Sequence, residues 1–199
     1  MWIDIKTAYF LLGLLYVVMP LSTFLYLKSH RSKAIDLWCF GGFLNGIGLI
    51  MISFRPLMLG HYPDFITFTL VNVLMISGYT LRVQSFKLDM KRPMTKFLIM
   101  AIIIVFALGY QLCVTLSTSL GPRIIFSSIC ISISLLVLAW NGKQYQHYFS
   151  IKNVNMLVFM YGLLGMTVGA KALLMILGYE SYDVLQGSAV NSLMSALAF

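Results

Sequence analysis

The chain has 199 residues, 60% of them hydrophobic and 10% charged, with a net charge of +8 and a mean hydropathy of +0.89. A water-soluble domain carries about 25% charged residues, so composition excludes that class and points to a helical protein that crosses a bilayer repeatedly. The basic residues sit in short connectors with no aromatic or glycine-rich pattern around them, which argues against nucleic acid and for the lipid bilayer as the first partner.

The start, MWIDIKTAYFLLGLL, lacks the basic head and small-residue cleavage site of a signal peptide, so its span is expected to be retained. Apolar runs long enough to cross a bilayer, about 17–25 residues each, follow in order. They are Thr7–Leu27, Asp36–Phe54, Phe65–Phe86, Phe97–Leu116, Ile124–Trp140 and Val154–Tyr179. The segments between them, KSHRSK, RPLMLGHYPD, KLDMKRPMTK, STSLGPR, NGKQYQHYFSIKN and ESYD, mostly hold the glycine, proline or charge of turns. A further apolar run begins near Val184 and reaches Phe199 through SLMSALAF, with neither charge nor helix stop. The expected fold is therefore all-α: a polytopic membrane helical bundle with six complete transmembrane helices plus the start of a seventh. Residues 1–199 form one transmembrane domain on this reading, and a longer protein is expected to continue after it.

Basic residues fix the expected orientation. The first, third and fifth connectors with their flanks hold Lys28, Arg31 and Lys33; Arg82, Lys87, Lys91, Arg92 and Lys96; and Lys143 and Lys152. The other side holds Lys6, Arg55, Arg123 and Lys171, with the acids Asp4, Asp64, Glu180 and Asp183. Basic connectors stay in the cytoplasm, so the N-terminus is expected outside and a seventh span would deliver the C-terminus inside.

Within the spans, small-xxx-small spacings occur at Gly42 with Gly46 and at Gly165 with Gly169. Glycine lets helix backbones approach closely, and packing within one chain is the favoured reading over a dimerisation face. Asn45 lies ten residues before Arg55, about 15 Å below the outer end of its span. Asn72 lies eight residues after Asp64, about 12 Å below the outer end of the next span. The two amides are thus expected to meet, either as a helix-locking pair or as ligand contacts.

Lys171 interrupts the apolar stretch TVGAKALLMILGYES. A lysine at mid-membrane costs at least about 2.5–3.5 kcal/mol, and such residues usually face a cavity or a partner. It lies eight residues before Tyr179, about 12 Å down and level with the asparagines. Arg55 and Arg123 stand at the outer rim beside Pro56 and Pro122, which mark expected helix ends. These arginines either snorkel and pair with Asp64, Glu180 or Asp183, or join Lys171, Asn45 and Asn72 in a cationic ligand pocket.

Other chemistries fail on the residues available. Cys39, Cys113 and Cys130 lie in apolar runs without CxxC spacing and read as small apolar residues. His30, His61 and His147 fall in connectors, which leaves no haem-ligating pair within the spans. Every acid lies at a span end, so a retinal counter-ion and a proton-relay carboxylate are both lacking. No catalytic motif occurs, so no catalytic or metal residue is expected here.

The segment LWCFGGFLNGIGLIMISFRPLMLGHYPDFITFTLVNVLMISGYTLRVQSF, residues 37–86, carries the skeleton Trp38, Gly41, Asn45, Gly48, Arg55, Pro56, Asn72, Gly78 and Phe86. With GPRIIFSS at 121–128 and the basic residue of the sixth span, it resembles the N-terminal membrane region of bacterial diguanylate cyclases. Arg82 departs from that pattern, where small residues are common, and no GGDEF motif occurs in the 199 residues. The resemblance implies a sensory input domain in the bacterial inner membrane, acting as a homodimer on a cytoplasmic GGDEF output beyond residue 199. It implies GTP and magnesium for that output alone, with no cofactor in the membrane part. A small transporter or permease, and the front end of a histidine kinase, are the alternative readings.

Overall fold

A computed structural model describes residues 5–26, 32–117, 119–150 and 154–178. Among these, six long helices account for nearly all of the chain: α1 (Ile5–Tyr26), α2 (Lys33–Met58), α3 (Val71–Asp89), α4 (Lys96–Leu116), α5 (Leu120–Phe149) and α6 (Asn155–Ile176). A π-helical turn, Phe65–Leu70, runs directly into α3. All six, with the π turn counted into the third, are long and apolar enough to cross a membrane. The expected seventh run lies outside the described residues.

Local chemistry sets the ends. Ser32 and Thr95 cap α2 and α4, their hydroxyls accepting from the Ile35 and Leu98 amides at 3.2 Å each. α2 continues three residues past Arg55 with Pro56 inside its last turn, so Pro56 does not end the helix as expected. Pro122 falls in the first turn of α5, where a missing N–H costs nothing. α5 runs nine residues beyond the expected end at Trp140 and stops at Ser150, which adopts φ 54°. Its stretch NGKQYQHYF is helical, with Gly142 packed against Val158 and the Phe86 ring, so His147 lies in the last turn of a helix rather than in a connector.

Packing runs α1–α2–α3–α5–α6, with α4 leaning on α3 and α5. The span containing α3 is central: 67% of its window is buried, against 17% for α1 and α4. It is also the least apolar span, as expected where lipid, not water, bathes the outside. Side chains of α1, α2, α3, α5 and α6 share one core, and Phe68, Ile76, Phe106, Tyr110 and Val114 form a second one beside it.

The glycine pairs are spent within the chain, as favoured above. Gly42 faces Pro20 of α1 and the Arg82 side chain, and Gly46 faces Gly13 and Val17. Gly165 and Gly169 receive Leu135, Leu136 and Ser132 of α5. The closest approach is α2 on α3, where Gly41 lies against the Gly78 carbonyl and Asn45 fills the notch over Gly78.

Candidate functional site

At one end of the bundle, three elements converge on one ring. The last turn of α2 supplies Arg55, the π turn supplies Phe68, and the first turn of α5 supplies Arg123. The guanidinium carbons lie 5.2 Å (Arg55) and 5.3 Å (Arg123) from the Phe68 ring centre. Each contact is a cation–π interaction, worth about 0.5–2 kcal/mol according to how dry it is. Phe68 is buried, Arg123 is buried and Arg55 is half-buried.

Arg123 has a structural duty as well. Its Nη2 donates to the Val114 carbonyl at 3.0 Å and to the Ser117 carbonyl at 2.7 Å, closing the C-terminal end of α4. A cation suits that place because the last carbonyls of a helix lack intrahelical partners. The Nε atoms of both Arg55 and Arg123 are nevertheless buried without a hydrogen-bond partner among the described residues. Asp64 is exposed, while Glu180 and Asp183 lie outside the described residues. Tyr110 stands within electrostatic range of both guanidiniums, and Thr69 ties the π turn to α4 by donating to Gln111 at 2.7 Å.

The two asparagines do not meet. Asn72 is buried and donates to the Phe68 carbonyl of its own helix at 2.8 Å. Asn45 is fully buried over Gly78, and neither its amide nitrogen nor its oxygen has a hydrogen-bond partner among the described residues. Its level is thus six residues, about 9 Å, from that of Asn72. The expected match failed because depth was counted from Arg55 and Asp64, whereas α2 runs on to Met58 and the π turn alters the rise at the start of its partner.

Lys171 is buried, on the inward stripe of α6 that also carries Tyr161, Val168 and Met175. Ser132 donates to the Gly165 carbonyl at 2.7 Å and also faces Gly169, which sets the α5–α6 register. Carried through α5 to α3, where Phe86 meets Gly142, that register puts Lys171 within about one turn of Asn72 and about one and a half turns of Asn45. The structure therefore brings Arg55 and Arg123 to the Phe68 ring, with Asn72 bonded to the Phe68 carbonyl one turn along; it buries Lys171 on α6, which packs on α5, and leaves Asn45 in a separate helix contact.

Arg82 requires a correction. Counted with the cytoplasmic connector, it is instead buried among four helices. Its guanidinium carbon is 4.9 Å from the ring centres of Tyr16 (α1) and Trp38 (α2), and Nη1 donates to the Tyr161 hydroxyl (α6) at 2.6 Å. The sequence signal was its place inside the run Phe65–Phe86. Phe68 had no such signal, because an aromatic in an apolar run looks like any other. Cys39 is buried, while Cys113 and Cys130 are half-buried free thiols.

Next to the cation cluster, α3, α4 and α5 border an open crevice of about 500 Å³, lined by Ile76, Ala101, Phe106, Phe126 and Cys130 among others. Fold and site together define a helical membrane protein with cations gathered on an aromatic ring at one end. Comparison of the chain with family models, with curated proteins and with solved structures gives no match.

Proposed function

We propose that this chain is the membrane-embedded input domain of a bacterial inner-membrane signalling receptor, with its N-terminus outside. It binds a small anionic or amphiphilic ligand in the outer half of the bundle and passes the change to a C-terminal cytoplasmic output. The resemblance of residues 37–86 makes that output a diguanylate cyclase, which would act as a dimer and use GTP with magnesium. One observation carries the ligand reading: guanidiniums from α2 and α5 each rest on the Phe68 ring, and each has an Nε buried and unpartnered among the described residues. Such a group keeps an unmet donor in a dry site, which an anionic acceptor answers. Asn72 stands one turn along the same helix from Phe68, and Lys171 is buried on α6, which packs on α5.

In cells expressing the whole gene product, Arg55→Gln is expected to abolish ligand-dependent change in cyclic di-GMP while leaving the amount of inserted protein normal. A response of wild-type size would contradict the reading.

Orientation has its own test. With the three native cysteines replaced, His61→Cys is expected to react with an impermeant thiol reagent on intact cells, and Arg92→Cys only after permeabilisation. Both positions are exposed, so a reversed pattern would invert the topology.

A further inference from the structure

We infer that the crevice between α3, α4 and α5 is an acyl slot, and that the ligand is a single-chain amphiphile with an anionic carboxylate or phosphate head. The inference rests on the reading above and adds the ligand's chemical class. The crevice, about 500 Å³, is an open groove with room for part of a hydrocarbon chain. The lining is apolar apart from Ser134, whose hydroxyl is spent on the Cys130 carbonyl at 2.8 Å. Nothing polar remains there to hold a head group, so the slot suits hydrocarbon alone.

The head group's place follows from α5. Arg123, Phe126, Cys130 and Ser134 succeed one another at spacings of three, four and four residues, a single helix face. Arg123 therefore stands one turn above the top of the slot. The top of the slot is itself a layer of rings, in which Phe126 stacks on Phe106 at 5.7 Å and Tyr110 lies 6.4 Å from Phe126. Those rings belong to the same core cluster as Phe68, on which both guanidiniums rest. Cationic head site and apolar slot are thus stacked along one seam, which is the charge and polarity pattern of an anionic amphiphile.

Entry is from the side. Val105 on α4 and Ile133 on α5 rim the crevice and are exposed, so it opens to the bilayer. α4 also packs more lightly on α3 and α5 than α2 does on α3 or α6 on α5. A chain can slide in from the lipid while its head stays at the level of the arginines.

The test uses the full chain in nanodiscs of phosphatidylcholine with a diazirine-bearing palmitate as probe. Label is expected on the peptides containing Ala101 and Cys130. Unlabelled palmitate and hexadecyl phosphate should compete, and hexadecanol should compete at least tenfold less well. Arg55→Gln, which has no hydrogen bond to lose among the described residues, should raise the half-competing palmitate concentration at least tenfold. Ala101→Phe, which fills the slot, should remove the label and weaken palmitate far more than octanoate. If Arg55→Gln weakens binding but Ala101→Phe and chain length do not matter, the slot is wrong and the anion site stands. If hexadecanol or added phosphatidylcholine competes as well as palmitate, the slot holds bulk lipid and the inference fails. Labelling spread evenly over the lipid-facing helices, unaffected by either substitution, removes both slot and head site.

Discussion

Replacing Arg82 by lysine is expected to destabilise the bundle by about 3 kcal/mol, and replacing it by methionine by clearly less. Arg82 carries its charge in a dry place, and two contacts with aromatic rings in such a place are worth about 2 kcal/mol each. A planar guanidinium fits between Tyr16 and Trp38 while donating to Tyr161. Lysine keeps the charge and its desolvation cost but presents a compact, strongly hydrated ammonium that cannot stack or fork. Methionine loses the same contacts yet also removes the buried charge, and exchanging a buried charge for an apolar side chain is often close to neutral. Thermal unfolding in mild detergent, followed by helical circular dichroism, ranks the three proteins. Lysine at or above methionine would mean that the aromatic contacts contribute little. Tyr161→Phe should fall between wild type and lysine, because it removes one hydrogen bond and leaves both rings in place.

Gly78→Ala carries the second large effect. A methyl group at Gly78 would run into the Asn45 side-chain oxygen and the Gly41 carbonyl at once. Neither neighbour yields easily, since one is backbone and the other is fully buried. Overpacking of this kind costs about 1–3 kcal/mol, and the upper end is expected because α2 and α3 must part along their tightest contact. Asn45→Ala in the same chain removes one of the two collisions. The double variant should therefore recover part of the loss, a coupling that distant sites do not show. Strict additivity of the two substitutions would place Asn45 elsewhere than over Gly78.

Lipid reverses the usual reading of burial, and that explains what was visible in the sequence. Apolar length alone marks the six spans, and an isolated lysine in an apolar run had to turn inward, as buried Lys171 does. Glycine spacing likewise marked the close α1–α2 and α5–α6 contacts. Register was less legible. Asn45 and Asn72 are level only if α2 stops at Pro56, whereas a proline in its last turn lets the helix continue to Met58. The π turn at 65–70 compounds this, because an inserted residue within a helix has no local composition to announce it. Arg82 was misplaced by the charge rule, which sorts connectors by sequence and is blind to an arginine turned inward among aromatic rings. The Arg55–Phe68–Arg123 cluster needed α5 brought to two consecutive elements much earlier in the chain, and two of its members were in the expected set.

The central claim is that the arginines on Phe68 hold an anion, and a cryo-electron microscopy map of the whole protein in nanodiscs with saturating palmitate tests it directly. The account predicts head-group density within hydrogen-bond distance of Arg55 Nε and Arg123 Nε, with the Arg123 bonds to the Val114 and Ser117 carbonyls kept. A map in which Glu180 or Asp183 instead closes on either guanidinium, with no density beside the Nε atoms, would make the cluster an internal ion pair and contradict the account.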